Sequence, residues 1–268
     1  CYRYPKCPAA LSDITAAISP GIHLLLGENG TGKTTLLHII AGLLYPTAGS
    51  VEIDGMSPRL RQPALLEKIF FLGGTALAFA HTAAKAYAGF DAGLLADYLA
   101  CFGLTGRERL DRLSLGNRRK SLIAVALALR TQVLLLDEPA NGLDIGSKET
   151  LGRMLAEAAG DDRTIIVSTH VTHDFHNIFD GVIALRRNRL QLAATLTDIL
   201  SAVAFTAGMI PPVEAIFAHQ SAGLFRSITA AGADTETDID YNLLYMALQS
   251  DRADIITSLI NSHRQQQL

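Results

Sequence analysis

Gly27-Glu28-Asn29-Gly30-Thr31-Gly32-Lys33-Thr34-Thr35 decides the reading of this chain. It follows the apolar run Ile22-His23-Leu24-Leu25-Leu26 and opens the run Leu36-Leu37-His38-Ile39-Ile40-Ala41, so the order is strand, glycine-rich loop, helix. The loop carries the spacing G-x-x-x-x-G-K-[ST], and the physical demand behind it is a polyphosphate. Glycines let the backbone curl so that successive N–H groups point inward, and the helix N-terminus adds the positive end of its dipole. A chance match is expected roughly once in a hundred chains of this length. Asn29, Gly30, Thr31, Gly32, Lys33, Thr34 and Thr35 are therefore the nucleotide-binding candidates. Lys33 reaches for the β- and γ-phosphates, Thr34 offers a hydroxyl to Mg²⁺, and Thr35 lies close to the α-phosphate.

Length and composition frame this loop. A chain of 268 residues that is 49% hydrophobic and 18% charged is globular, with a core large enough for one domain plus an extension. A net charge of -3 without a basic stripe argues against nucleic acid as the main partner. Cys1, Cys7 and Cys101 lack metal-ligand spacing and fit reduced thiols in a cytosol. The most apolar long stretch, Leu200 to Ala218, is broken by Pro211, Pro212 and Glu214 and does not read as a membrane span. No signal peptide is visible, and the start at Cys1 points to N-terminal residues outside this sequence.

Outward from the loop, a mostly parallel α/β sheet is expected. The helix after the loop should run to about Leu44 and stop at Tyr45-Pro46-Thr47-Ala48-Gly49. Val51-Glu52-Ile53-Asp54-Gly55 alternates and reads as an antiparallel strand, and Ile69-Phe70-Phe71-Leu72 as a short buried one. Residues 75–129 turn alanine-rich and helical, an expected subdomain inserted into the core. Val133 to Leu136, Thr164 to Ser168, and a hairpin around Arg187-Asn188 supply further strands, with a helix over Gly146–Ala159. These divide the chain into a main domain over 1–195 and an extension over 196–268. In the extension Gly223 to Ile228 suggests a strand, and helices begin near Asp240 and Asp251 and pack on the main domain.

A second motif completes the chemistry. Four apolar residues ending in Asp137-Glu138 place two carboxylates where a buried strand emerges. Asp137 is the candidate for the Mg²⁺ shell and Glu138 for the base that deprotonates attacking water, a role worth about 10²–10⁴ in rate.

With both motifs read, the chain resembles the nucleotide-binding subunit of an ATP-binding cassette (ABC) transporter over about Tyr4 to Ala193. The signature motif of that family resembles Leu113-Ser114-Leu115-Gly116-Asn117, its D-loop resembles Asn141-Gly142-Leu143-Asp144, and its switch histidine resembles His170. The resemblance implies a P-loop NTPase fold with an antiparallel β element, an inserted helical subdomain, and ATP with Mg²⁺ as ligands. It implies an exporter-type ATPase in which two cassettes dimerise head to tail, Ser114, Gly116 and Asp144 acting in trans on the partner's nucleotide. Tyr4 would stack on adenine, and His170 would contact the γ-phosphate and hold Glu138. A transmembrane permease is the implied partner, which would keep the chain cytoplasmic and peripheral on the inner face of the cell membrane.

Two positions depart from the family pattern. Leu115 and Asn117 stand in a signature that is usually L-S-G-G-Q, while Gly74 stands where a glutamine should follow the strand ending at Leu72. Gln62 comes too early to replace it. The departure at Gly74 motivates an alternative, a soluble or regulatory ATP-binding cassette with weak or no hydrolysis. A GTPase is disfavoured by the lack of an N-K-x-D motif, and a chromosome-maintenance ATPase by the short spacing from Lys33 to Asp137. His170, His173 and His176 do not complete a metal set, and Arg118-Arg119-Lys120 reads as a solvated face.

Overall fold

The computed structural model describes residues 1–73, 87–108, 110–169, 175, 178–232 and 237–266. The chain opens with β1 (Tyr2–Arg3) and β2 (Ala9–Leu11), an antiparallel pair, followed by β3 (Gly21–Leu26) and helix α1 (Lys33–Ile40). A short helix α2 (Pro63–Leu66) and β4 (Ile69–Leu72) lead to the helical region, where α3 (Ala92–Cys101) and α4 (Leu115–Ala128) are described. β5 (Val133–Asp137), α5 (Ile145–Ala158) and β6 (Thr164–Ser168) return the chain to the sheet, which closes with β7 (Gly181–Arg186) and β8 (Arg189–Thr195).

These strands form one six-stranded sheet in the order β4-β5-β6-β3-β7-β8. All neighbours are parallel except the β7–β8 hairpin. Period-two side-chain alternation sorts the apolar runs onto two faces. Leu24, Leu26, Leu134, Leu136, Ile165 and Val167 face one core with α4 and α5. Leu25, Leu135, Ile166 and Ile183 face a second core with Leu36 and Leu37 of α1. A sheet covered on both faces explains why its strands read as unbroken hydrophobic runs.

Beyond Thr195 come α6 (Leu196–Ala202), β9 (Val203–Gly208), β10 (Phe217–Ser221), β11 (Leu224–Ala230), α7 (Tyr241–Gln249) and α8 (Ala253–Gln266). The three strands make a separate antiparallel sheet in the order β10-β11-β9. Ile199, Val203, Ile228, Leu244, Leu248 and Ile256 belong to the same hydrophobic cluster as Leu24 and Val182, so one core runs through both segments.

Two local expectations are corrected. Val51 to Gly55 is not a strand: Ile53 and Met56 exchange both backbone hydrogen bonds at 2.9 Å around Asp54 and Gly55, which have φ of 50° and 71°. That is a two-residue reversal of the Asp-Gly kind, which consumes the alternating residues in a turn. Helix α1 ends at Ile40 rather than Leu44. Gly42 takes φ 69°, its N–H donates to Ile39 O, and Leu43 N–H donates to His38 O, the left-handed glycine stop. Leu200 to Ala218, for which the sequence suggested no element, contains β9 and the start of β10.

Candidate functional site

The glycine-rich loop holds its shape through its own groups. Thr31 is buried; its hydroxyl donates to Glu28 O at 2.8 Å and its N–H to the same carbonyl at 3.2 Å. Lys33 Nζ donates to Gly27 O at 2.7 Å and Glu28 O at 3.3 Å, folding the ammonium across the loop. Burial pushes the Lys33 ammonium below its ordinary pKa, while the Glu138 and Asp137 carboxylates act in the opposite direction. Gly32 has φ 97°, and a methyl group there would sit 2.6 Å from Ala10 O and from a Leu11 methyl carbon. The loop therefore requires glycine at that position both for its dihedral and for its contact with β2.

Asp137 ends β5 beside this loop. Its Oδ2 accepts from Thr34 Oγ1 at 2.7 Å and its Oδ1 from Ser168 Oγ at 2.5 Å. Ser168 ends β6, the register partner of Asp137, and its hydroxyl also accepts from Glu138 N–H at 3.1 Å. Glu138 N–H further donates to Ser168 O at 3.0 Å. Glu138 itself takes φ 50°, in the left-handed region that a non-glycine residue seldom adopts.

One open cleft of about 540 Å³ gathers these groups. Tyr4, Asn29, Gly30, Gly32, Lys33, Thr34, Thr35, Asp137 and Glu138 all line it, so the two sequence motifs, separated by a hundred residues, meet in space. Thr31, buried with its hydroxyl on Glu28 O, is not among the residues that line the cleft. Tyr4 stands 37% exposed, edge-on to Tyr2 at 4.9 Å, and its hydroxyl lies 3.2 Å from Thr35 Oγ1.

Ser114, Gly116 and Asp144 do not line this cleft. Ser114 caps α4, its hydroxyl accepting from Asn117 N–H at 3.2 Å. Asp144 caps α5 through Ser147 N–H at 2.9 Å and pairs with Lys120 Nζ at 3.0 Å. These hydrogen bonds, that from Lys120 foremost, hold the Asp144 carboxyl far below the usual carboxylate range. Gly116 lies against the Gly142 carbonyl, where an added methyl would approach to 3.3 Å, so the two motifs abut. Leu115 and Ile145 flank them with exposures of 74% and 78%. His170, His173, His176 and Gly74 lie outside the described residues.

Three residues that the sequence reading did not assign also build the site. Asn188, in the β7–β8 turn, donates through Nδ2 to Ala10 O at 2.8 Å and Gly30 O at 3.2 Å. Ser168 is the second, joining Asp137 to the Glu138 backbone. The third is Arg119, expected on a solvated face but instead part-buried with its guanidinium on the carbonyls of Asp137, Glu138 and Pro139. None of these contacts leaves a local sequence pattern.

The donor set fits Mg²⁺ in chemistry: the Thr34 hydroxyl and the Asp137 carboxylate are hard oxygens 2.7 Å apart beside the phosphate loop. Among the described residues no cluster of three or more His, Cys, Asp and Glu side chains forms an all-protein cage. That suits an ion that usually keeps several waters and shares substrate phosphates.

Comparison with known proteins decides the family. A family model described as ABC transporter matches residues 11–141. The ABC transporter ATP-binding protein NatA of Bacillus subtilis (strain 168) is 33% identical over 210 residues, covering 72% of this chain and 85% of that protein. The chain belongs to the ABC transporter ATP-binding family. The phosphonates import ATP-binding protein PhnC of Thiobacillus denitrificans is 31% identical over 223 residues, 74% of this chain and 85% of its own. A solved dimeric ATP-binding cassette in a post-hydrolysis state with ADP and Pi superposes with TM-score 0.60 at 25% identity, covering 73% of this chain and 94% of that one. The cassette described here is thus a P-loop ATPase subunit of the transporter type. No helix among its described residues is long and apolar enough to cross a membrane.

Proposed function

We propose that this cassette powers a membrane transporter by closing head to tail with a second cassette over ATP and hydrolysing it. The observation that carries this reading is the division of the motifs into two places. Lys33, Thr34, Asp137 and Glu138 share one cleft, while Ser114, Gly116 and Asp144 sit on a separate exposed surface beside Leu115 and Ile145. Two copies related by a two-fold axis bring each surface over the other's cleft.

In this reading Lys33 gives up its bonds to Gly27 O and Glu28 O for the β- and γ-phosphates, joined by the loop amides from Asn29 to Thr35. Tyr4, in the cleft lining, offers its ring to adenine. Thr34 and Asp137 would hold Mg²⁺, whose contribution when bound is to neutralise charge on the phosphate oxygens. Glu138 takes the proton of the attacking water, its direction set by the Ser168 bonds to its backbone. Ser114 and the Gly116 N–H, at the α4 N-terminus, meet the γ-phosphate of the facing copy, with Asp144 at the same boundary. His170 is carried forward as the γ-phosphate contact.

A transmembrane permease is the proposed partner, which would place the cassette at the inner face of the cell membrane. Relatives named for import and for export, the latter a cytochrome c biogenesis ATP-binding export protein at 34% identity over 155 residues, both match this chain. The proposal is therefore for powering transport in either direction.

Glu138→Gln tests the reading. It should leave ATP binding intact, lower turnover by about 10²–10⁴, and accumulate an ATP-bound dimer on size-exclusion chromatography. A variant that stays monomeric with ATP and Mg²⁺, alone and with its permease, would sink the head-to-tail model.

A further inference from the structure

The guanidinium of Arg119 makes three hydrogen bonds to three consecutive carbonyls. Nη2 donates to Asp137 O at 3.1 Å and, more closely, to Glu138 O, while Nε donates to Pro139 O at 3.2 Å. The planar fork of an arginine suits such a cluster, which a lysine ammonium meets as a point charge. The turn it grips is the one in which Glu138 adopts φ 50°. On the other side of that residue, Glu138 N–H is taken by Ser168. The backbone of Glu138 is thus held from both ends, N–H by β6 and C=O by α4, and the side chain leaves this fixed point toward the cleft.

Burial draws the Arg119 guanidinium below its ordinary pKa, and the Asp137 and Glu138 carboxylates counter that effect. A guanidinium keeps its charge in proteins, so Arg119 offsets part of the repulsion between the two acids beside it.

We infer that Arg119 is a positioning residue for hydrolysis, holding the Asp137–Pro139 turn so that the Glu138 carboxylate meets its water. The inference rests on the reading of Glu138 as the base. Displacement of a catalytic group by about 1 Å costs about 10²-fold in rate, whereas the phosphate loop is shaped mainly by bonds within itself, from Lys33 to Gly27 O and from Thr31 to Glu28 O.

The test uses the full chain with Arg119→Met, Arg119→Lys, Glu138→Gln and the Arg119→Met/Glu138→Gln double variant. Steady-state ATP hydrolysis and binding of a fluorescent ATP analogue are measured on each. Arg119→Met should lower kcat about 10²-fold while the analogue's Kd stays within about twofold. Arg119→Lys, which keeps the charge and a donor, should recover part of the loss and covers the case in which the methionine variant fails to fold. In the Glu138→Gln background Arg119→Met should add nothing, because the group it positions has already lost its function. A kcat within about twofold of wild type in Arg119→Met or, where that variant does not fold, in Arg119→Lys overturns the inference while leaving Glu138 as base. So does a full additional loss in the double variant, which marks a general structural role. Undiminished turnover in Glu138→Gln instead overturns the reading of the base, and the Arg119 inference with it.

Discussion

Gly32 and His23 show how much a single position can carry. At Gly32 the φ of 97° and the 2.6 Å approach to Ala10 O act together, so Gly32→Ala must either strain the loop or push β2 away. We expect a stability loss of about 1–3 kcal/mol by urea unfolding, with weakened ATP binding. His23 is buried in β3, its Nε2 donating to Ser19 O at 2.8 Å. Burial lowers its pKa, partly opposed by the Ser19 bond and the Asp180 carboxylate. The folded chain therefore takes up this proton at lower pH than the unfolded chain does. Its contribution to stability is intact above the unfolded value of about 6.5 and is lost as pH falls toward the folded one. Stability of the wild type should thus decline more steeply than that of His23→Gln between pH 7.5 and 5; equal slopes in urea melts at these pH values would refute the assignment.

At the scale of elements, caps and turns set boundaries that apolar patterning alone leaves open. Asp240 caps α7, Oδ1 accepting from Leu243 N–H at 2.9 Å while Oδ2 pairs with Arg226 at 2.7 Å. Asp240→Ala should cost about 1–2 kcal/mol with an unchanged denaturant slope, and Asp240→Asn, which retains the cap acceptor, should cost less. The elements read correctly from sequence were those with two agreeing signals. β5 combined an apolar run with an acidic exit, and α7 combined a capping aspartate with helical periodicity. β10 had neither, because Ala218, His219, Gln220 and Ser221 are exposed and carry no alternation for a core to impose. The Asp54-Gly55 turn was misread because an alternating run of five residues satisfies both a strand and the arm of a tight reversal. In the site, eight of the nine residues that converge on the cleft were legible from two local motifs, while Tyr4 lies in neither and came only from the family resemblance. Arg119, Ser168 and Asn188 were not, because each acts by hydrogen bonds, most of them to backbone, formed only once the chain has folded back on itself.

At the scale of the whole molecule, the residues past Thr195 complete the core. Val203, Ile228, Leu244 and Ile256 are fully buried in the cluster that also contains Leu24 and Val182. A chain ending at Thr195 should therefore expose a broad apolar surface and lose cooperative unfolding, as followed by circular dichroism and limited proteolysis. A soluble, cooperatively folding truncation would show that the shared cluster is dispensable. The sheet order has another outcome, felt during synthesis. β3, inside the sheet, lies between β6 and β7, and the Asn188 bond to Gly30 closes later still. As the chain leaves the ribosome, Leu24, Leu25 and Leu26 wait unpaired while residues up to Ser168 are made, a delay on the order of ten seconds. The nascent phosphate loop, though it emerges early and is braced by its own Thr31 and Lys33 bonds, gains its Asn188 tie only when the hairpin near the end of the sheet arrives.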